Sequence, residues 1–276
     1  MTKNFIIIAL VMSVLYACNS VKLPLAKFNA SPLGYSQKVV GDSLVITLDN
    51  LLKCPVRIVL NDTLLNKRFE SKGMVVLNPS EKKRVSVFLS EAKQYNSGAN
   101  YMLGNAMSFP KETRLTLPFQ KGKKYKVIQG HNGSFSHKDG LSKLALDFDL
   151  KTGDTICAAA DGFVVGLVDK YKHHGKDSSW KNYANFITLY HPETGLFTEY
   201  IHLKEKGALV TIGDFVKAGQ PIALCGMTGW TTMAHLHFVA YFRNTSWKSE
   251  PVNVNFIEGY KAEELKNGDV VKSNSL

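Results

Sequence analysis

From residue 37 onward the chain is a succession of short Val-, Ile- and Leu-rich runs closed by Gly, Asn, Asp or Pro, with no long amphipathic helix between them. KVVGDSLVITLDN, CPVRIVLND, GMVVLNP and RVSVFLS come first; YKVIQG, KLALDFDL, DGFVVGLVD, NFITLYH, LFTEYIHL and HLHFVAY follow. Runs of this length bounded by turn formers read as strands. The expected fold class is therefore all-β (mainly β). Residues 37–120 are expected to form a small β-sandwich-like accessory domain, because the spacing suits a sandwich and no helix intervenes. That stretch has no histidine and a single cysteine, so it offers no ligand cluster and suits a binding or spacer role. Residues 122–258 are expected to form a second strand-rich domain. Of the tail, 259–276, only about 260–267 looks helical, and the final KSNSL reads as a frayed end.

The N-terminus has a different character. MTKNFIIIALVMSVLYAC has one lysine, then an apolar stretch from Phe5 to Ala17, then Cys18. The stretch is short for a bilayer span and has the layout of a secretory signal peptide over 1–17. Leu15-Tyr16-Ala17-Cys18 resembles the bacterial lipoprotein box, although Tyr16 is bulkier than the usual residue there. The resemblance implies lipidation of Cys18, a tether over 18–36 carrying Pro24 and Pro32, and export to a bacterial cell envelope with a membrane anchor. The alternative is a plain signal peptide with a fortuitous cysteine. A formal net charge of +11 suits an anionic partner such as a cell wall or lipid headgroups. Export argues against nucleic acid. Cys54, Cys157 and Cys225 form no CxxC pair, which disfavours a thiolate zinc site and leaves small buried thiols as the expectation.

All eight histidines lie between residues 131 and 237. In AHLHF, His235 and His237 are two apart in an apolar run, so on a strand they share a face. Asp147 stands in the middle of LALDFDL, where an unpaired carboxylate is costly unless it is paired or holds a metal; Asp149 fits a wet face. His202 ends the TEYIHL run. An Asp, an isolated His and an HxH on strands can supply a tetrahedral zinc site with a free position for water, flanked by imidazoles that orient or deprotonate that water. Tyr200, two before His202, is expected to pack rather than line the site. His173 and His174 lie in the polar insertion YKHHGKDSSWKN, which is placed as a wall of a groove with Trp180 and Tyr183 as contact surface. His191 is expected to belong to a turn between strands.

Several separate stretches resemble the M23 family of zinc metallopeptidases, the lysostaphin-like cell-wall endopeptidases. LDFDLKTGDTICAAADGFVV is similar to the family's Asp-bearing strand and its G-T-x-V-x-A-A-x-x-G stretch, YIHL to its Y-x-H-L, and MAHLHF to its closing H-L-H-F. GDFVKAGQPIALCGMTG is similar to its G-x-x-V-x-x-G-Q-x-I-G-x-x-G-x-T-G run, with Ala223 in place of a glycine. The resemblance covers residues 124 to 250. It implies a compact antiparallel sheet with few helices, Asp147 and His237 as zinc ligands, and His202 and His235 as catalytic imidazoles. The first metal histidine departs from the common pattern, because the position four before the Asp is Lys143. GSFSHKDG resembles a variant with a longer loop, which implies His137 as the third ligand; His131 is its rival. The activity implied is zinc-dependent hydrolysis of peptide bonds in peptidoglycan stems or cross-bridges. The alternative is a non-catalytic relative that activates or scaffolds other wall hydrolases.

Overall fold

Alternation along the strands decides how this chain layers. The computed structural model describes residues 22–28, 30, 32–61, 74–88, 98–106 and 114–274; the segment read as a signal peptide and Cys18 lie outside them. Two three-stranded antiparallel sheets come first. One joins β1 (Gly34–Val40), β2 (Ser43–Asp49) and β5 (Lys82–Phe88); the other joins β3 (Val56–Leu60), β4 (Met74–Leu77) and β6 (Ala99–Leu103). The run KVVGDSLVITLDN is not one strand but a hairpin, turned at Gly41-Asp42, where Gly41 has φ +58°. Gly supplies that left-handed conformation without a Cβ penalty.

Next come β7 (Arg114–Leu115), β8 (Lys124–Gln129), β9 (Leu146–Phe148), β10 (Thr155–Cys157) and β11 (Gly162–Val168). They are followed by β12 (His174–Gly175), β13 (Phe186–His191), β14 (Leu196–Ile201), β15 (Leu203–Ala208), β16 (Phe215–Val216) and β17 (Pro221–Cys225). The last are β18 (Gly229–Trp230), β19 (Leu236–Arg243), β20 (Ser249–Pro251), β21 (Asn255–Phe256) and β22 (Val270–Lys272). Nine of these form one sheet in the order β16-β11-β13-β14-β19-β9-β8-β22, with β20 added beside β19. A smaller sheet, β10-β17-β15, packs against it.

The large sheet buries both faces. Leu146, Phe148, Tyr200, Phe238 and Ala240 point into one apolar cluster with Ile156, Ile222 and Cys225 of the smaller sheet. Ala145, Phe197, Val239 and Tyr241 point the other way, into a second cluster with Leu44, Ile46, Val56 and Ile58 of the N-terminal sheets. Each fully buried Leu, Ile, Val or Phe among them contributes roughly 1.5–3 kcal/mol of transfer free energy. Arg57, fully buried, ties the layers together: its Nε donates to the Gly104 carbonyl (3.1 Å) and its Nη1 to the Asn244 carbonyl (2.8 Å). His235 and His237 lie on the same face as Val239 and Tyr241. The N-terminal sheets cover the far end of that face, and the near end holds the histidines.

The C-terminal segment departs from expectation in two places. The helical-looking stretch is a single 3-10 turn, Ala262–Glu264. The end is not frayed at 272–274: β22 pairs with β8, and Ser273 is buried, donating its N–H to the Lys123 carbonyl (3.1 Å) and accepting from the Gly122 N–H (2.7 Å). Cys54, Cys157 and Cys225 are buried free thiols, and burial pushes their pKa values up to about 12, 11 and 12.

Candidate active site

Strand register builds the site. On β19, His237 lies opposite Asp147 of β9 on one side and Ile201 of β14 on the other, and Asp147 in turn opposes Gln129 of β8. Directly opposed residues share a face, so Gln129, Asp147 and His237 form one polar row across three strands. His237 Nδ1 lies 2.8 Å from Asp147 Oδ1. Gln129 Nε2 donates to the other carboxylate oxygen at 3.2 Å and to Ser136 Oγ at 2.8 Å.

His137 enters from the loop between β8 and β9. Its Nε2 lies 3.2 Å from Asp147 Oδ1 and 3.3 Å from His237 Nδ1, and the side chain is fully buried. His137, Asp147 and His237 are the His/Asp group that converges among the described residues. His131 stands outside that group, its Nε2 buried without a hydrogen-bond partner. Lys143 is exposed and lines a separate cleft with Lys248 and Glu250.

His202 reaches the site by breaking the strand. Alternation from Ile201 would send it to the face of Tyr200. Its φ of +66° is in the left-handed region, which costs a non-glycine residue of order 1–3 kcal/mol. The kink turns the ring to 4.6 Å from that of His235 and 6.1 Å from that of His237. The backbone there is held by Gly226 N–H on the His202 carbonyl (2.9 Å). Tyr200 stays behind in the core, its hydroxyl accepting from Ala159 N–H at 2.8 Å.

Backbone carbonyls fix the tautomers. The Nδ1 of His137 lies 2.9 Å from Gly130 O, that of His202 2.7 Å from Thr228 O, and that of His235 3.0 Å from Met233 O. Each Nδ1 therefore carries the proton and leaves a lone pair on Nε2. Burial, then the neighbouring imidazoles of His235 and His237, push His202 down to about 3. Burial also lowers His235, against the opposing pull of Asp147. Burial alone would raise Asp147, but the imidazoles of His237, His137 and His235 outweigh it and hold the carboxyl well below the usual range.

The donor set fits zinc. Four ligands at about 2.0 Å in a tetrahedron stand about 3.3 Å apart, and the three edges here are 2.8, 3.2 and 3.3 Å. Two nitrogens and a carboxylate oxygen, with the His137 tautomer fixed by the Gly130 carbonyl and a Gln behind the carboxylate, form the arrangement a structured metal site requires.

A groove of about 460 Å³ opens over His202 and His237, and a second arm of about 210 Å³ over Asp147 and His235. Phe135 and Trp230 border both, their ring centroids 6.4 Å apart. The insertion, residues 171–182, lines the groove through Ser178 and Lys181; Trp180 is buried within it, and neither Trp180 nor Tyr183 is among the lining residues. β12 pairs with β18, and Lys176 O accepts from Trp230 Nε1 (3.0 Å), so the insertion holds Trp230 over the groove. Gln129, Phe135 and Trp230 escaped the sequence reading. A glutamine ending an apolar strand was a signal for the first; the other two had none.

Residues 142–253 match peptidase family M23. The chain thus carries a peptidase M23 domain, and Asp147, His202, His235 and His237 lie within the match while His137 lies before it. The chain is similar to the peptidoglycan DD-endopeptidase ShyB of Vibrio cholerae, 31% identical over 167 residues, 58% of this chain and 33% of that protein. It is also similar to lysostaphin of Staphylococcus simulans, 34% identical over 102 residues, 36% of this chain and 18% of that protein. The chain thus spans a third or less of the length of these relatives. A solved catalytic domain of lysostaphin aligns with 47% of this chain and 88% of its own, at 23% identity and TM-score 0.32.

Proposed function

We propose that this chain is a zinc-dependent endopeptidase that hydrolyses peptide bonds in the stems or cross-bridges of peptidoglycan, in the service of cell-wall remodelling. The observation that carries the reading is the convergence of His137 Nε2, Asp147 Oδ1 and His237 Nδ1 within a groove that also presents His202 and His235. His137, Asp147 and His237 would hold the metal. When bound, zinc supplies a Lewis acid that polarises the scissile carbonyl and lowers the pKa of a water toward about 7.

The chain's own residues do the rest. His202 and His235 are both held neutral by burial, with Nε2 free and Nδ1–H spent on a carbonyl. One imidazole takes the proton of the attacking water at Nε2 and later returns it to the leaving amine. The other keeps its Nε2 lone pair and accepts from the second O–H of that water, which orients it for attack. The kink at His202 fixes one imidazole, and the Thr231 and Met233 oxygens against Nδ1 fix the other. Gln129 keeps Asp147 aimed with Oδ1 inward.

The proposal extends to location. The lipoprotein-like Leu15-Tyr16-Ala17-Cys18 and the net charge of +11 support export, a lipid anchor at Cys18 and an anionic wall as partner.

The test is mass spectrometry of muropeptides from purified sacculi incubated with protein starting at residue 19, beside His202→Ala and a chelator control. Loss of cross-linked species with active protein alone is expected. Unchanged sacculi with folded, zinc-loaded protein would contradict the reading and favour a non-catalytic role.

A further inference from the structure

The two arms of the groove differ in charge. Lys138 and Lys181 both line the larger arm. Lys138 belongs to the loop that delivers His137, and Lys181 to the 3-10 turn Ser178–Tyr183 of the insertion. Both are exposed, and neither is ion-paired among the described residues. Asp139 shares the arm, leaving one net positive charge. The smaller arm carries no lysine or arginine: beyond the metal-site residues it presents Ile128, Gln129, Thr231, Thr232 and Met233. Phe135 and Trp230 stand at the boundary, and Phe135 is 62% exposed. An exposed aromatic beside a buried polar cluster marks a surface that a ligand covers.

We propose that Lys138 and Lys181 are specificity residues that read a free carboxylate on the peptide to one side of the scissile bond. The neutral arm takes an uncharged segment on the other side. The inference rests on the peptidase reading of this groove. The chemistry it selects is a stem peptide carrying unamidated carboxylates, over an amidated stem or an oligoglycine bridge, which offers no charge. The two lysines come from different loops and both line the larger arm, so a carboxylate bound there lies in the field of two ammonium groups. Lysine suits this task as a mobile, hydrated point charge that tolerates several positions of the acid. Partly solvated pairs of this kind are each worth little, so the selection is a preference rather than an absolute filter.

The test uses the full chain with His202→Ala to prevent turnover. Binding is measured by fluorescence anisotropy for a labelled cross-linked stem-peptide dimer with free carboxylates and for the same dimer amidated. The free form is expected to bind roughly three- to tenfold more tightly, the range for two partly solvated ion pairs. The preference should vanish in K138Q/K181Q, shrink in K181Q alone, and weaken at high salt. Both lysines are exposed, so the fold survives, and a matching melting curve checks it. Equal binding of the two forms, a preference unchanged in the double variant, or no binding of the free form would each overturn the proposal. Hydrolysis of sacculi without any charge preference would leave the peptidase reading standing and sink this one. Charge-dependent binding without hydrolysis would do the reverse.

Discussion

The N-terminal sheets and the near end of the large sheet both bury polar side chains in apolar surroundings, and they satisfy them in opposite ways. Asn50 is fully buried, and its donors and acceptor are used by backbone: Nδ2 donates to Cys54 O (2.8 Å) and Asn78 O (2.7 Å), and Oδ1 accepts from Leu52 N–H (3.0 Å). Arg57 is spent likewise, on the Gly104 and Asn244 carbonyls and the Met102 sulfur. At the other end one carboxylate oxygen, Asp147 Oδ1, has three imidazole nitrogens at 2.8, 3.2 and 3.7 Å. Buried polar groups are normally paired off one by one. A staple uses up its hydrogen bonds, whereas a site converges more lone pairs than the protein's own protons can satisfy and so calls for a cation.

The comparison breaks most visibly at Asp147. Asp147→Asn should abolish zinc binding and lower peptide hydrolysis by about a thousandfold or more, the loss of several kcal/mol of metal-assisted stabilisation, while the melting curve of the metal-free protein stays close to that of the parent. Asn50→Ala should do the opposite. It strands the Cys54 and Asn78 carbonyls and the Leu52 N–H, at a cost of roughly 2–3 kcal/mol in urea unfolding, and leaves zinc stoichiometry and hydrolysis intact below the transition. A loss of zinc in Asn50→Ala would show that the two ends are not separable. Gln129→Leu falls between them. It keeps the strand and removes the amide behind Asp147, together with its bonds to Phe135 and Ser136 in the loop that carries His137, so zinc affinity in chelator competition should fall about tenfold or more, with a modest fall in melting temperature.

How much of this was legible in the sequence depends on the range of the contact. The shared face of His235 and His237, and the oddity of Asp147 in an apolar strand, follow from period-two alternation alone, and register then brings the two strands together. His137 was narrower: its loop has no periodicity, its contact with His237 spans 100 residues, and a resemblance rather than a pattern set it above His131. The kink at His202 was hidden, because a left-handed φ on a histidine is imposed by packing and not by propensity. Phe135 and Trp230 meet only through tertiary contact. The pairing of β22 was invisible for a different reason: backbone hydrogen bonds leave no mark on side-chain identity, so a polar tail such as KSNSL looks loose. Arg57, an arginine inside CPVRIVLND, was a signal that the N-terminal sheets are stitched to the rest.

His137, delivered by a loop in place of the position four before the Asp, which is Lys143 in a 3-10 turn, completes a zinc site with Asp147 and His237 in the proposed mechanism. Zinc content after equilibration with a weak chelator, measured on the full chain and on His137→Ala and His131→Ala, tests it most directly. One zinc per chain is expected in the parent and in His131→Ala, and none in His137→Ala. Zinc retained at full affinity in His137→Ala, or lost in His131→Ala alone, would contradict it.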